Sequence, residues 1–182
     1  MLGAVPPWGN RADQIWSVAG QGGIPLNNTG RQQALAAAEE LAGAGQRHMA
    51  FSSTLGRASE TARVISTRLG VDAVAEVPAL VERGYGSAEG ANITGFDEVT
   101  KRSLMEGGES VKSVVSRGTA AFDWLKSVYP ELRIVIFSHG TLIRLLFSDL
   151  YGKEHLRVAN AEVTEFGVNL IQGAGVRVPQ LH

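Results

Sequence analysis

The chain predicts an α/β fold, a three-layer α/β/α sandwich around a mostly parallel sheet. Three observations point there. Short apolar runs at 49–53, 71–77 and 133–137 alternate with segments whose apolar residues recur at helical spacing. The run Arg133–Phe137 is almost continuously β-branched or aromatic, as in strands buried on both faces. The 182 residues, 44% of them hydrophobic, suit one domain with one core, and no composition shift marks a boundary.

Along the chain, residues 1–29 are rich in Gly, Pro and Asn without a period and read as loop. From Arg31 a helix is expected, with Ala34, Ala38 and Leu41 as its stripe, Leu35 and Ala42 beside it, and Gly43 and Gly45 at its end. Met49–Ser53 is the first strand. The second helix turns Leu55, Ala58, Ala62, Ile65 and Leu69 inward and stops at Gly70. Val71–Val77 forms a strand that Pro78 ends. Residues 82–109, with six glycines, read as a long irregular loop, which in a compact domain is usually functional. Ser110 caps a third helix with the stripe Val111, Val114, Val115, Phe122 and Leu125, and Trp124 is read as core. Arg133–Phe137 then feeds through Ser138-His139-Gly140 into a helix over Leu142–Leu150, and Val163–Ile171 supplies one more strand.

Composition narrows the function. Seventeen basic and eighteen acidic side chains leave a net charge of −1 without charge blocks, so neither a nucleic-acid surface nor a polybasic membrane patch is expected. The absence of cysteine removes disulfides, thiolate metal sites and cysteine nucleophiles together. No apolar run is long enough to span a bilayer, and the first ten residues lack a secretory pattern, so a cytoplasmic location is expected.

In parallel sheets, ligands gather at the carboxyl edge, where helix N-termini present free N–H groups. Three turns bring polar side chains to that edge: Ser52–Arg57, Val81–Gly86 and Ser138–Thr141. Arg57, Glu82 and His139 can therefore converge. A guanidinium, a carboxyl and an imidazole beside helix N-termini suit phosphate. The arginine clamps oxygens, the histidine shares charge and the carboxyl protonates a leaving alcohol. Each has a plainer reading: a satisfied buried histidine, a surface arginine, a loop salt bridge for Glu82. A cation in the first turn of a helix is unfavourable without an anionic partner, which favours the phosphate reading of Arg57.

The stretches SSTLGRASETA, ALVERGYGSAEG, GGES and IVIFSHGTLIRLL occur in the order and spacing of the histidine phosphatase superfamily, also called phosphoglycerate mutase-like. GQGGIPLNNTGRQQA resembles that family's segment after its first motif, and the resemblance covers roughly residues 20–170. It implies a fold of the phosphoglycerate mutase type and hydrolysis of small phosphate monoesters through a phosphohistidine, without metal or other cofactor. By the same resemblance Arg57 is the second phosphate-clamping arginine, Glu82 the general acid and His139 the second histidine. Asn10 falls where the family often has a phosphate-side asparagine. Asn10 and Gln21 are carried as phosphate contacts against the plainer reading that both are loop residues. Gly107–Ser110 is a helix cap first and a ligand contact second.

One part departs from the family pattern. Its Arg-His-Gly triplet, whose histidine is the nucleophile, would fall on Gly3, Ala4 and Val5. His48, His155 and His182 are poorly placed to replace it, and Arg11 is a weak substitute for the missing arginine. Losing the nucleophile of a cooperative site costs on the order of a million-fold in turnover, about 8 kcal/mol. Two accounts stay open: a degenerate member that binds a phosphorylated metabolite or inorganic phosphate without turnover, or a sequence in which the first strand and triplet were lost or scrambled. A third reading, from a different class, is an interaction protein that uses the 82–109 loop. The resemblance leaves mutase against phosphatase unsettled. No long lid insertion is visible near 90–106, which favours hydrolysis. A second subunit is one way to cover a sheet edge left by a lost strand, making a homodimer.

Overall fold

The computed structural model describes residues 19–23, 25–93, 95–152 and 163. Helix α1 spans Asn28–Gly43, strand β1 Met49–Ser52, helix α2 Gly56–Leu69 and strand β2 Val74–Glu76. Two single 3₁₀ turns come next, at Pro78–Leu80 and Gly86–Ala88. Helix α3 is Glu98–Leu104, α4 Val111–Val128, strand β3 Ile134–Phe137 and α5 Gly140–Tyr151. The described strands form a parallel sheet in the order β2-β1-β3, with Ala50 opposite Val74 and Val135, and Ser52 opposite Glu76 and Phe137.

Alternation along β1 divides the interior. Ala50 joins α1 and α2 through Ala34, Ala37, Ala38, Leu41, Ala62 and Ile65. Phe51, one residue on, points to the other face and packs with Leu80, Val114, Leu125, Leu142 and Leu146. Helices thus cover both faces, giving the three layers expected. On one face small side chains let α1 and α2 approach. On the other, Gly118 does the same work: a Cβ there would meet the Leu146 side chain at 2.9 Å and that of Leu142 at 3.1 Å. That contact offsets the roughly 1 kcal/mol a mid-helix glycine costs against alanine.

Several expectations need correction. Residues 82–109 are not wholly irregular. Asp97 caps α3 by accepting from the Thr100 N–H at 2.7 Å, a start signal that the surrounding glycines and charges obscure. The strand expected over 71–77 is only Val74–Glu76, because Val71 closes the α2 end and packs into the α1–α2 core. Val111 and Trp124 lie on the outside of α4, 47% and 49% exposed, while Gly118 and Ala121 hold the inner face with Val114 and Leu125. Leu35 is likewise outside α1, where Ala37 is buried instead. Helix α5 begins two residues before the expected Leu142, at Gly140. Ser110 does cap α4, accepting from the Ser113 N–H at 3.1 Å. Of the strand expected over Val163–Ile171 only Val163 is described, and it packs against the α1–α2 core. Asn10, Arg11, Trp8, Trp16, His155, His182 and the triplet position 3–5 lie outside the described residues.

Candidate functional site

The carboxyl ends of β1 and β3 are tied side by side, the Ser53 N–H donating to the Phe137 carbonyl at 2.9 Å. The turns that leave the two strands are therefore brought together. Ser53 is fully buried, and its Oγ lies 2.8 Å from Nε2 of His139 while accepting the Leu55 N–H at 3.2 Å. His139 stands at the N-cap position of α5 without capping it, and only 6% of it is exposed. Burial first, then the positive charges of Arg57 and Arg117, push its imidazole down to about 3, so the ring is neutral near pH 7.

The task of capping α5 falls to Glu82, from a different loop. Its Oε2 accepts the Thr141 N–H at 3.2 Å, and its Oε1 accepts the N–H groups of Leu142 at 3.3 Å and Arg83 at 2.8 Å. A carboxylate at a helix N-terminus is favourable through both the free donors and the helix dipole. Next to it the Tyr85 hydroxyl lies 2.6 Å from Thr141 Oγ1, and the Arg83 guanidinium sits over the Tyr85 ring at 5.2 Å.

Arg57, in the first turn of α2, reaches across to the 20–22 loop. Its Nη2 donates to the Gly20 carbonyl at 2.7 Å and its Nη1 to that of Gly22 at 3.0 Å. Partial burial lowers its affinity for its proton, an effect opposed by Glu82 and then Glu89 nearby. An anionic partner was expected for this cation; its hydrogen-bond partners here are two neutral backbone carbonyls. Gly20 makes the approach workable: its φ is +48° and a Cβ would lie 2.5 Å from the Glu89 carboxyl group. Gln21, in the same loop, donates from Nε2 to the Glu82 carbonyl at 3.0 Å, so it joins the loops bearing Arg57's partners and Glu82. Arg57, Glu82, His139 and Gln21 thus belong to one carboxyl-edge assembly. His48 is at the other end, where its Nδ1 accepts the Arg133 N–H at 3.0 Å.

Arg117 carried no sequence signal strong enough to single it out. Arg117, in the middle of α4, donates to the carbonyls of Ala79 at 2.7 Å, Val81 at 2.8 Å and Glu82 at 3.2 Å. It also pairs through Nε and Nη2 with both Glu109 oxygens, at 2.7 and 2.9 Å, holding the Glu109 carboxyl below its usual range. A pointer existed: Glu109 and Arg117 are eight residues apart, close to two helical turns, around the Ser110 cap. Beside this network a cleft of about 400 Å³ is lined by Arg83, Lys101, Arg102, Met105 and Glu106. Among the described residues no group of three or more His, Asp or Glu could hold a metal ion, and no helix is long and apolar enough to cross a membrane.

Comparison with known proteins gives the family. The chain is 32% identical over 152 residues to a metal-independent phosphoserine phosphatase of Arabidopsis thaliana, an alignment covering 74% of this chain and 63% of that one. The chain thus spans less than two thirds of that relative's length. It is 30% identical over 169 residues to a protein of Proteus mirabilis named "Probable phosphoglycerate mutase", covering 82% of this chain and 78% of that one. Among solved structures, a mycobacterial glucosyl-3-phosphoglycerate phosphatase complexed with VO3 superposes with a TM-score of 0.65 at 29% identity, over 80% of this chain and 75% of that one. The family profile described as "Histidine phosphatase superfamily (branch 1)" matches residues 9–178, and the chain belongs to that superfamily.

Proposed function

We propose that the chain forms a single domain that recognises small phosphate monoesters at the carboxyl edge of its sheet. Arg57 and Gln21 hold the phosphate side, Glu82 serves as the acid and His139 as the charge-sharing imidazole. Asn10 is a candidate for the same phosphate. The observation that carries this reading is the meeting of Glu82, His139 and the first turn of α5 in one buried place.

That arrangement supports the following chemistry. A phosphate entering between Arg57 and α5 brings negative charge, which offsets the smaller part of the lowering of His139, that due to Arg57 and Arg117, while burial, the larger cause, remains. The imidazole stabilises the phosphoryl oxygens as a hydrogen-bond donor. Phosphate oxygens that take over the α5 N–H groups release a Glu82 oxygen, which when protonated can deliver that proton to a leaving alkoxide. The three basic side chains lining the neighbouring cleft favour substrates with negative charge beyond the phosphate. Turnover through a phosphohistidine is proposed to be impaired, since the triplet position reads Gly3-Ala4-Val5.

The test pairs binding with turnover. Titration with orthovanadate or inorganic phosphate, read by calorimetry, should show binding, while phosphate release from phosphoserine and p-nitrophenyl phosphate stays on the order of a million-fold below an active relative. Rapid accumulation of acid-labile phosphohistidine contradicts the impairment. Absence of binding at millimolar anion contradicts the site itself.

A further inference from the structure

Glu82 sits in a stretch with no regular secondary structure. Between the turn Pro78–Leu80 and the turn Gly86–Ala88, no strand or helix holds it. Its carboxylate nevertheless meets three separate N–H groups, on Arg83, Thr141 and Leu142. Something must fix the backbone from behind.

Gln21 Nε2 donates to the Glu82 carbonyl at 3.0 Å and Ser138 Oγ to that of Leu80 at 2.8 Å, but one side chain makes more of these contacts than both together. Arg117 takes three carbonyls of the stretch, those of Ala79, Val81 and Glu82, at 2.7, 2.8 and 3.2 Å. Its remaining donors are fixed by Glu109 in a two-point pair, with both side chains about one fifth exposed. Glu109 itself grips the far end of the stretch: its N–H donates to the Gly84 carbonyl at 2.7 Å, and its carbonyl accepts the Arg83 Nε at 2.8 Å. Ser113 adds a hydrogen bond to Glu109 Oε1 at 3.0 Å. The planar guanidinium can serve a carboxylate and several carbonyls at once because its five donors have fixed directions, which an ammonium group lacks.

We propose that Arg117, oriented by Glu109, is the positioning residue that sets the Glu82 carboxylate against the first turn of α5. Arg117 touches no reacting atom and acts through the backbone of residues 79–82. Helix α4 thereby becomes the ruler for the acid's placement. The inference rests on Glu82 acting at the anion site, and its test reads the carboxylate's placement without requiring turnover or anion binding.

The reporters are the backbone amides of Arg83, Thr141 and Leu142 in ¹H–¹⁵N spectra. In the otherwise unaltered protein Glu82→Gln should move the three together. With Arg117→Lys or Glu109→Gln already in place, adding Glu82→Gln should leave Thr141 and Leu142 unmoved, while the amides of Ala50 and Phe51 keep their positions throughout. If Arg117→Lys does not fold, Glu109→Gln carries the same test with a nearly isosteric side chain. A joint response to Glu82→Gln that persists in a folded variant, even one with a lowered melting temperature, reduces the pair to a structural brace and overturns the proposal. Full recovery by lysine overturns the need for the forked group. Failure of the unaltered protein to bind vanadate counts against the proposed function and leaves the amide result standing.

Discussion

Two histidines bridge the same pair of strands at opposite ends. At the amino ends, His48 Nδ1 accepts the N–H of Arg133 across the start of β1 and β3, and the ring is exposed. At the carboxyl ends, His139 Nε2 meets Ser53 Oγ, both buried. The strands are parallel and the bridging distances similar, 3.0 and 2.8 Å. The difference lies in what the chain does next. After the carboxyl ends, α2 and α5 begin; Ser53 accepts the N–H of Leu55 just before α2, and Glu82 accepts two N–H groups in the first turn of α5. Polar side chains are drawn together there and shielded, whereas the amino edge has no such demand. A functional site in this fold is therefore a consequence of parallel-strand geometry before it is a consequence of particular side chains.

Breaking the carboxyl end should cost most. His139 binds its proton near pH 3 when folded and near 6.5 when free, so below pH 6.5 the unfolded chain holds more protons and stability falls as the pH drops. The slope approaches about 1.4 kcal/mol per pH unit until the folded group itself titrates. Denaturant melts between pH 7 and 4 should show this loss in the unaltered protein and a shallower one in His139→Asn. Ser53→Ala comes next: it leaves the Leu55 N–H and the imidazole nitrogen without their partner in a buried place, for about 1–3 kcal/mol by urea unfolding. Gly20→Ala should cost about 1–2 kcal/mol from its positive φ and its clash with Glu89, and should weaken vanadate binding by displacing a carbonyl partner of Arg57. His48→Ala should cost the least, about 0.5–1 kcal/mol, because water replaces an exposed hydrogen bond.

Much of this was legible in the sequence. Glu82, Arg57 and His139 were readable because each comes after a strand and sits in a local motif, and the structure brings all three to one edge. Arg117 was not, because the carbonyls it holds lie 35 to 38 residues away and its position in α4 looks like an ordinary solvated one. Trp124 misled for the complementary reason. It adjoins the apolar stripe in period, yet the face of α4 that meets α5 is narrow and is taken by Gly118, Ala121 and Leu125. Helix α3 was hidden because its start rests on a single Asp97 cap among glycines, too short for a periodic pattern.

The most direct measurement is the melting temperature with and without millimolar orthovanadate, for the unaltered protein, Arg57→Ala and His48→Ala. The account predicts a vanadate-dependent rise in the unaltered protein and in His48→Ala, and none in Arg57→Ala. An equal rise in all three, or in none, would contradict it.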